Sequence, residues 1–76
     1  MASALVLVKS ELGQAVKVAE ALRKISGVKQ AYAITGPYDV FAVAEGKGAE
    51  ELTQLVISRI QGTHGVKDTL TCLVVG

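Results

Sequence analysis

A segment with helical spacing, followed by Gly-Val-Lys and a strand-like run, occurs twice in this chain. The two triplets begin at Gly27 and Gly65, which are 38 residues apart. Each follows a stretch whose apolar residues recur three and four positions apart, as in a helix with one buried side, and glycine commonly ends such a helix. Because the chain has only 76 residues, two helix-turn-strand units account for most of it. The repeat predicts a single domain over residues 1–76 built from two similar halves.

Further strand-like runs precede both helices and complete the predicted secondary structure. Short runs rich in Val and Leu indicate strands, and Gly36 and Pro37 separate the second and third runs, which predicts an antiparallel hairpin. The predicted strands cover residues 4–9, 28–35, 40–45 and 66–75, and the predicted helices cover residues 14–26 and 49–61. This βαββαβ order is that of the ferredoxin-like α+β fold, in which two helices lie on one face of a four-stranded antiparallel sheet.

The predicted strands are apolar on both faces, whereas an antiparallel sheet with one wet face alternates apolar and polar residues. Residues 5–8 and 40–44 contain no polar side chain, and residues 73–75 are also apolar. Two helices cover only one face, so the other exposes a contiguous apolar patch, which usually marks an interface. We therefore expect a homodimer formed through the open sheet face. The alternative is a monomer whose C-terminal strand folds over its own sheet.

Charge and composition narrow the classes of partner. The formal net charge is +1 and there is no basic stretch, so the electrostatic footprint of direct nucleic-acid binding is missing. No apolar run approaches the roughly 18 residues of a membrane span, and the N-terminus lacks the basic region of a secretory signal. The single cysteine, Cys72, fits a reducing compartment. We expect a cytoplasmic protein that contacts neither nucleic acid nor membrane.

Residues suited to catalysis are few. His64 is the only histidine and lies in a glycine-rich turn without a neighbouring Asp or Cys to orient it as a general base. Cys72 lies within a strand, where a small packing role is expected. The sequence has no Cys-x-x-Cys pair, no P-loop, and only Phe41 as an aromatic residue on the central strands, which disfavours metal-carrying, nucleotide-binding and RNA-recognition modules. We predict no catalytic residue, no metal, no cofactor and no enzymatic activity.

One turn concentrates polar groups that suit a small zwitterion. Residues 35–39 are Thr-Gly-Pro-Tyr-Asp. Asp39 could receive an ammonium group, and backbone N–H groups of the turn could receive a carboxylate. The alternative is a stiff hairpin turn in which Asp39 bonds its own backbone. Thr69 and Thr71 are two apart, so on a strand they share one face and could bind a polar head group, although threonine is common in strands.

Taken in order, these segments resemble the effector-binding domain of the Lrp/AsnC transcription regulators, known as the regulation-of-amino-acid-metabolism (RAM) domain. The matching segments are residues 5–9, the helix end at residues 25–28, the turn at residues 35–39 before an apolar strand, Gly65 and Val66 after the second helix, and residues 69–71. The resemblance covers essentially the whole chain.

The resemblance implies a ferredoxin-like dimer formed through the sheets, with dimers assembling further into an octameric or similar ring. Amino-acid effectors of the family lie where dimers meet, near the Gly-x-Tyr-Asp turn. The implied ligand-binding residues are Thr35, Gly36, Tyr38 and Asp39, with Thr69 and Thr71 contributed by a neighbouring subunit. Family members usually carry an N-terminal helix-turn-helix domain. This chain starts at the first strand, so we expect a stand-alone effector module without a DNA-binding domain.

The leading hypothesis is an oligomeric amino-acid-binding module that acts as a sensor or co-regulator of amino-acid metabolism. It would act on its own or by mixed assembly with full-length Lrp/AsnC regulators. Two alternatives stay open. One is a small dimeric ferredoxin-like enzyme of the monooxygenase or isomerase type, with a pocket lined by His64 and a tyrosine. The other is a purely structural assembly module without a ligand.

Overall fold

The computed structural model describes all residues from Met1 to Gly76. Four strands and two helical segments follow one another in the predicted βαββαβ order. The strands are β1 (Ala2–Ser10), β2 (Val28–Ala33), β3 (Val40–Gly46) and β4 (Val66–Leu73), and the helices are α1 (Ala15–Arg23) and α2 (residues 49–61). The strands form one antiparallel sheet in the order β2-β3-β1-β4. The predicted ferredoxin-like fold is therefore confirmed.

The element boundaries differ from the predicted ones mainly at the ends. The first helix was expected over residues 14–26 but is shorter, because residues 24–27 form the turn that leads into β2. Strand β2 stops at Ala33 rather than at residue 35, since the next residues belong to the turn before β3. The second helix spans the predicted residues, but its middle part, Leu52–Ile57, is a π-helix.

The core is entirely aliphatic and lies between the sheet and the two helices. Alternate residues of β1 and β3 face the helices, as expected for strands with one face on a core. The buried residues are Ala4, Val6, Val8, Val18, Ala19, Leu22, Ala31, Val40, Ala42, Ala44, Leu52, Val56, Ile57 and Ile60. The core positions on the central strands β1 and β3 are all Val or Ala, which leaves room for the larger Leu and Ile side chains of the helices.

The sequence repeat corresponds to a reciprocal contact between the two halves. Gly27 follows α1 and packs against Val56 of α2, whereas Gly65 follows α2 and packs against Val18 of α1. The two valines are also 38 residues apart. Both glycines have positive φ angles, 97° and 93°, which L side chains rarely adopt. The N–H groups of Glu45 and Glu11 donate to the carbonyls of these glycines at 2.7 and 2.8 Å, respectively.

The sheet face away from the helices is apolar and uncovered. We call it the open face. Leu5 pairs directly with Val43 and Cys72, and Leu7 pairs with Phe41 and Leu70, so these side chains lie together on one face. Tyr32, beside Phe41, extends the patch. Leu5, Tyr32 and Leu70 are 40–52% exposed. The open face is thus defined by Leu5, Leu7, Tyr32, Phe41, Val43, Leu70 and Cys72.

The C-terminal strand does not cover the open face. Strand β4 lies at the edge of the sheet beside β1, with Leu73 paired to Ala4. The N–H of Val74 still donates to the carbonyl of Ser3, at 2.9 Å. The alternative in which this strand folds over its own sheet is therefore wrong, because its hydrogen bonds extend the sheet sideways. No helix of the chain has the length and apolar composition needed to span a membrane.

Candidate functional site

The turn between β2 and β3 is held at its base and free at its tip. The N–H of Ile34 donates to the carbonyl of Asp39 at 2.8 Å, and the N–H of Asp39 donates to the carbonyl of Val8 at 2.9 Å. At the tip, Thr35, Gly36 and Pro37 are all exposed. Gly36 has a φ angle of 143°, and a Cβ there would meet no atom within 4 Å. The turn that carries the predicted ligand residues is therefore fixed by backbone hydrogen bonds at its base and exposed at its tip.

The carboxylate of Asp39 is half-buried and only partly used by the fold. Its Oδ2 accepts the backbone N–H of Ser10 at 2.9 Å, which ties the turn to the end of β1. The other oxygen, Oδ1, accepts no hydrogen bond from the chain. The alternative prediction was that the Asp39 side chain bonds the backbone of its own turn. Instead, it bonds the backbone of Ser10, which is 29 residues away in sequence. One carboxylate oxygen remains for a ligand.

Asp39 lines a shallow pocket on the surface, which we call the Asp39 pocket. Its volume is about 270 Å³, and Ser10, Glu11, Leu12, Gly13, Ala15 and Lys67 form the rest of its lining. The lining of this pocket therefore includes two acidic residues and one lysine. Charges of both signs in one small pocket suit a ligand that also carries both signs.

Tyr38 is not in the Asp39 pocket. Its ring lies beneath the ammonium group of Lys9, 5.7 Å from Nζ to the ring centroid, a distance typical of a cation–π contact. Lys9 alternates with the buried Val8 along β1 and pairs with Asp68, so it lies on the same side of the sheet as the open face. The ring of Tyr38 and the carboxylate of Asp39 therefore lie in different places at this end of the sheet. A ligand that contacts both side chains has to reach around the end of the sheet.

Thr69 and Thr71 share one side of the sheet, as predicted from their spacing. They pair with Val8 and Val6, whose side chains are buried beneath the helices, so both threonines lie on the helix side of the edge strand. The Thr69 hydroxyl accepts a hydrogen bond from Gln61 Nε2 of α2 at 3.3 Å. Thr69 also lines a second pocket of about 220 Å³, together with Gln61, Val66, Lys67 and Asp68. We call this the Thr69 pocket.

The two pockets lie at the same end of the sheet. Val8 of the central strand β1 pairs with Val40 on one side and with Thr69 on the other, which places the turn that holds Asp39 and the threonine strand on either side of β1. Thr71 lies further along β4 and lines neither pocket. Lys67 lines both pockets. The Gly-Val-Lys repeat contains Lys67, but the sequence did not predict its place beside these pockets, because that place depends on how β4 pairs with β1.

The other residues with chemically reactive side chains do not come together at one site. His64 is exposed in its turn, and Cys72 is exposed on the open face. A third pocket, of about 360 Å³, lies at the opposite end of the sheet and is lined mainly by Glu45, Lys47, Glu51, Leu55 and Arg59. None of the three pockets is lined by His64, a tyrosine or the cysteine. No group of three or more His, Cys, Asp and Glu side chains is arranged to hold a metal ion.

A small antiparallel βαββαβ domain can serve several functions, so the fold alone does not define the class of this protein. The sequence model of the Lrp/AsnC ligand-binding domain matches residues 3–76. The chain belongs to this family, and the resemblance stated from its motifs is confirmed.

Three proteins with known names or structures are similar to this chain. A protein from Thermus thermophilus is 33% identical, with a TM-score of 0.89 over 100% of this chain and 95% of that one. A transcriptional regulator from Neisseria meningitidis, solved in complex with L-Met, shares the fold at 23% identity, with a TM-score of 0.81 over 99% of this chain and 50% of the regulator. Homocitrate synthase from Saccharolobus solfataricus is 42% identical over 57 residues, which are 75% of this chain and 12% of the enzyme.

Proposed function

We propose that this chain is an oligomeric amino-acid-binding module that acts as a sensor or co-regulator in the control of amino-acid metabolism. The observation that carries the proposal is the free Oδ1 of Asp39 in a pocket that also contains a lysine. A carboxylate with one unused oxygen is a suitable acceptor for an ammonium group, and charge-assisted hydrogen bonds are about twice as strong as neutral ones. The family's ligand-binding role and the L-Met complex of the Neisseria meningitidis regulator support this choice of ligand.

The proposed assembly begins with a dimer formed through the open face. Leu5, Tyr32 and Leu70 are 40–52% exposed in the single chain, so the dimer would remove this remaining apolar surface from water. Dimers would then assemble into a ring, octameric or similar, in which Thr69 and Thr71 of a neighbouring subunit approach the turn at residues 35–39. Thr35, Gly36 and Tyr38 complete the proposed ligand contacts.

Asp39→Asn tests the ligand site without removing its structural bond. The asparagine oxygen can still accept the N–H of Ser10, while the negative charge is lost. We expect little change in melting temperature and about a tenfold or greater loss of amino-acid affinity, because a charge-assisted hydrogen bond contributes roughly 1.5–3 kcal/mol. Thermal-shift screening against the twenty amino acids, followed by calorimetry, measures both effects.

Glu20→Gln is the control for this experiment, because Glu20 is exposed on α1 and lines none of the pockets. It should bind like the wild type. The proposal is contradicted when no amino acid stabilises the wild-type protein, or when Asp39→Asn binds as tightly as Glu20→Gln.

A second candidate function is regulation of a biosynthetic enzyme. The observation that favours it is the similarity to homocitrate synthase, whose identity of 42% over 57 residues exceeds the 23% shared with the Neisseria meningitidis regulator. In this case the module would bind its amino acid and then act on an enzyme.

Mixing experiments separate the two candidates. The chain is combined with a purified full-length Lrp/AsnC regulator in one sample and with a purified homocitrate synthase in another, and each is followed by size-exclusion chromatography with and without amino acid. Mixed assembly with the regulator supports transcriptional control, whereas mixed assembly with the enzyme supports the second candidate.

A further inference from the structure

The lysines of the two Gly-Val-Lys triplets occupy the same irregularity in the two halves. In β4, Asp68 pairs with Lys9 but Val66 pairs with Ser10, so Lys67 is an extra residue between successive pairs. In β2, Val28 pairs with Ala44 but Gln30 pairs with Val43, so Lys29 is the extra residue. Such β-bulges redirect a side chain out of the regular alternation of the strand. Lys29 and Lys67 are therefore structurally equivalent.

The surroundings of the two equivalent lysines differ. Lys67 lines both the Asp39 pocket and the Thr69 pocket and is the only cationic side chain in either. Lys29 is exposed and lines no pocket. Both lysines are exposed, so the two halves differ in that Lys67 lines candidate pockets whereas Lys29 does not.

We propose that Lys67 binds the carboxylate of the ligand whose ammonium group is held by Asp39. This inference rests on the proposed function and assigns a binding partner to the carboxylate, which is the second charged group of the zwitterionic ligand. The Lys67 ammonium has three donors and no acceptor, and Lys67 lines the Asp39 pocket together with Asp39 and Glu11. A ligand with a carboxylate therefore finds one matching group there, and one with an ammonium finds another.

The Thr69 pocket adds a donor from the same chain as Lys67, beside those that the threonines of a neighbouring subunit would bring to the turn at residues 35–39. Its polar side chains beside Lys67 include Thr69, whose hydroxyl accepts from Gln61 and so has its own O–H left to donate. Lys67 and the Thr69 hydroxyl can then both donate to one carboxylate. The site selects molecules with a free carboxylate and discriminates against the corresponding carboxamides, which carry no negative charge.

The chain provides a matched control for the test. Lys67→Gln and Lys29→Gln remove the same charge from the same kind of bulge after the same Gly-Val pair. Calorimetry is performed on the full chain with the amino acid that raises the melting temperature of the wild type most, and with the carboxamide of that amino acid. Lys67→Gln should weaken the amino acid about tenfold, and Lys29→Gln should leave its Kd unchanged.

The carboxamide distinguishes a contact to the carboxylate from a general effect on the site. The wild type should bind the carboxamide about as weakly as Lys67→Gln binds the acid, and Lys67→Gln should weaken carboxamide binding no further. Lys67→Arg should restore most of the affinity for the acid. Equal Kd values for Lys67→Gln and Lys29→Gln, or equal losses for the acid and the carboxamide, overturn the role of Lys67 alone. A wild type that binds no amino acid overturns this inference and the proposed function together.

Discussion

Gly27 and Gly13 share a backbone conformation but differ in what surrounds them. Their φ angles are 97° and 76°, both in the region that L side chains avoid. A Cβ at position 27 would lie 2.5 Å from Val56 Cγ2 and 2.9 Å from the Glu45 carbonyl oxygen, whereas one at position 13 would meet no atom within 4 Å. A side chain at position 13 would therefore lose stability only through the backbone conformation, whereas one at position 27 would also lose stability through steric overlap.

Substitution of these glycines by alanine should give two different losses of stability. Gly13→Ala carries only the backbone term, about 1–2 kcal/mol. Gly27→Ala adds overlap with α2, which costs a further ~1–3 kcal/mol when a packed core has to move. Urea unfolding of both variants measures the difference. Equal losses at the two positions would show that the contact between Gly27 and Val56 does not matter to stability.

Asp39 shows how far reasoning from the sequence reaches at the scale of a residue. The turn composition identified it as a polar group with a special position, since Gly, Pro and Asp cluster there. Its partner, the N–H of Ser10, is 29 residues away and becomes available where β1 leaves regular pairing with β4 after Lys9. No local pattern predicts such a bond, because it depends on the register of two strands.

At the scale of elements, periodicity predicted the order and the packing side of each helix. The apolar spacing of the second helix predicted that Leu52, Leu55, Val56 and Ile60 face the sheet. Leu52, Val56 and Ile60 are buried, but the prediction is wrong for Leu55, which is 52% exposed. The π-helix at Leu52–Ile57 was not predicted, because a shift of one residue in hydrogen bonding leaves the apolar pattern almost unchanged. The bulges at Lys29 and Lys67 were missed for a related reason, since each inserts one residue without changing composition.

Two leucines of α2 test the packing of this element. Leu52 is fully buried and Leu55 is 52% exposed. Leu52→Ala should destabilise the protein by about 2–5 kcal/mol, because it removes buried methyl groups and leaves a cavity. Leu55→Ala should change stability by less than about 0.5 kcal/mol in the single chain. Denaturant unfolding of the two variants compares them directly, and similar losses would contradict the placement of Leu52 in the core.

At the scale of the whole molecule, one face of the sheet is covered by helices and the other is left apolar. The core contains only 14 buried residues, and a chain of this size buries only about 60–65% of the surface that its unfolded form exposes. The repeat contributes to this arrangement, because it builds two α-β halves whose helices both lie on the same side. In the proposed dimer, stability and assembly are therefore linked through the open face.

A charge on the open face should separate the proposed subunits. Leu5 lies opposite Val43 and Cys72 on that face, so Leu5→Asp places a carboxylate among apolar groups of both subunits, and desolvation of an unpaired charge is costly. We expect loss of the oligomer, seen as a lower mass in multi-angle light scattering. Leu55→Asp is the control, because Leu55 is similarly exposed but belongs to α2. Unchanged mass in Leu5→Asp would place the interface elsewhere.

Sedimentation of the wild-type chain at micromolar concentration tests the central claim most directly. We propose that a second copy covers the apolar sheet face that the single layer of helices leaves open, so the account predicts dimers or larger assemblies with no folded single chain. A well-folded monomer under these conditions would contradict it, together with the proposed contacts from neighbouring subunits.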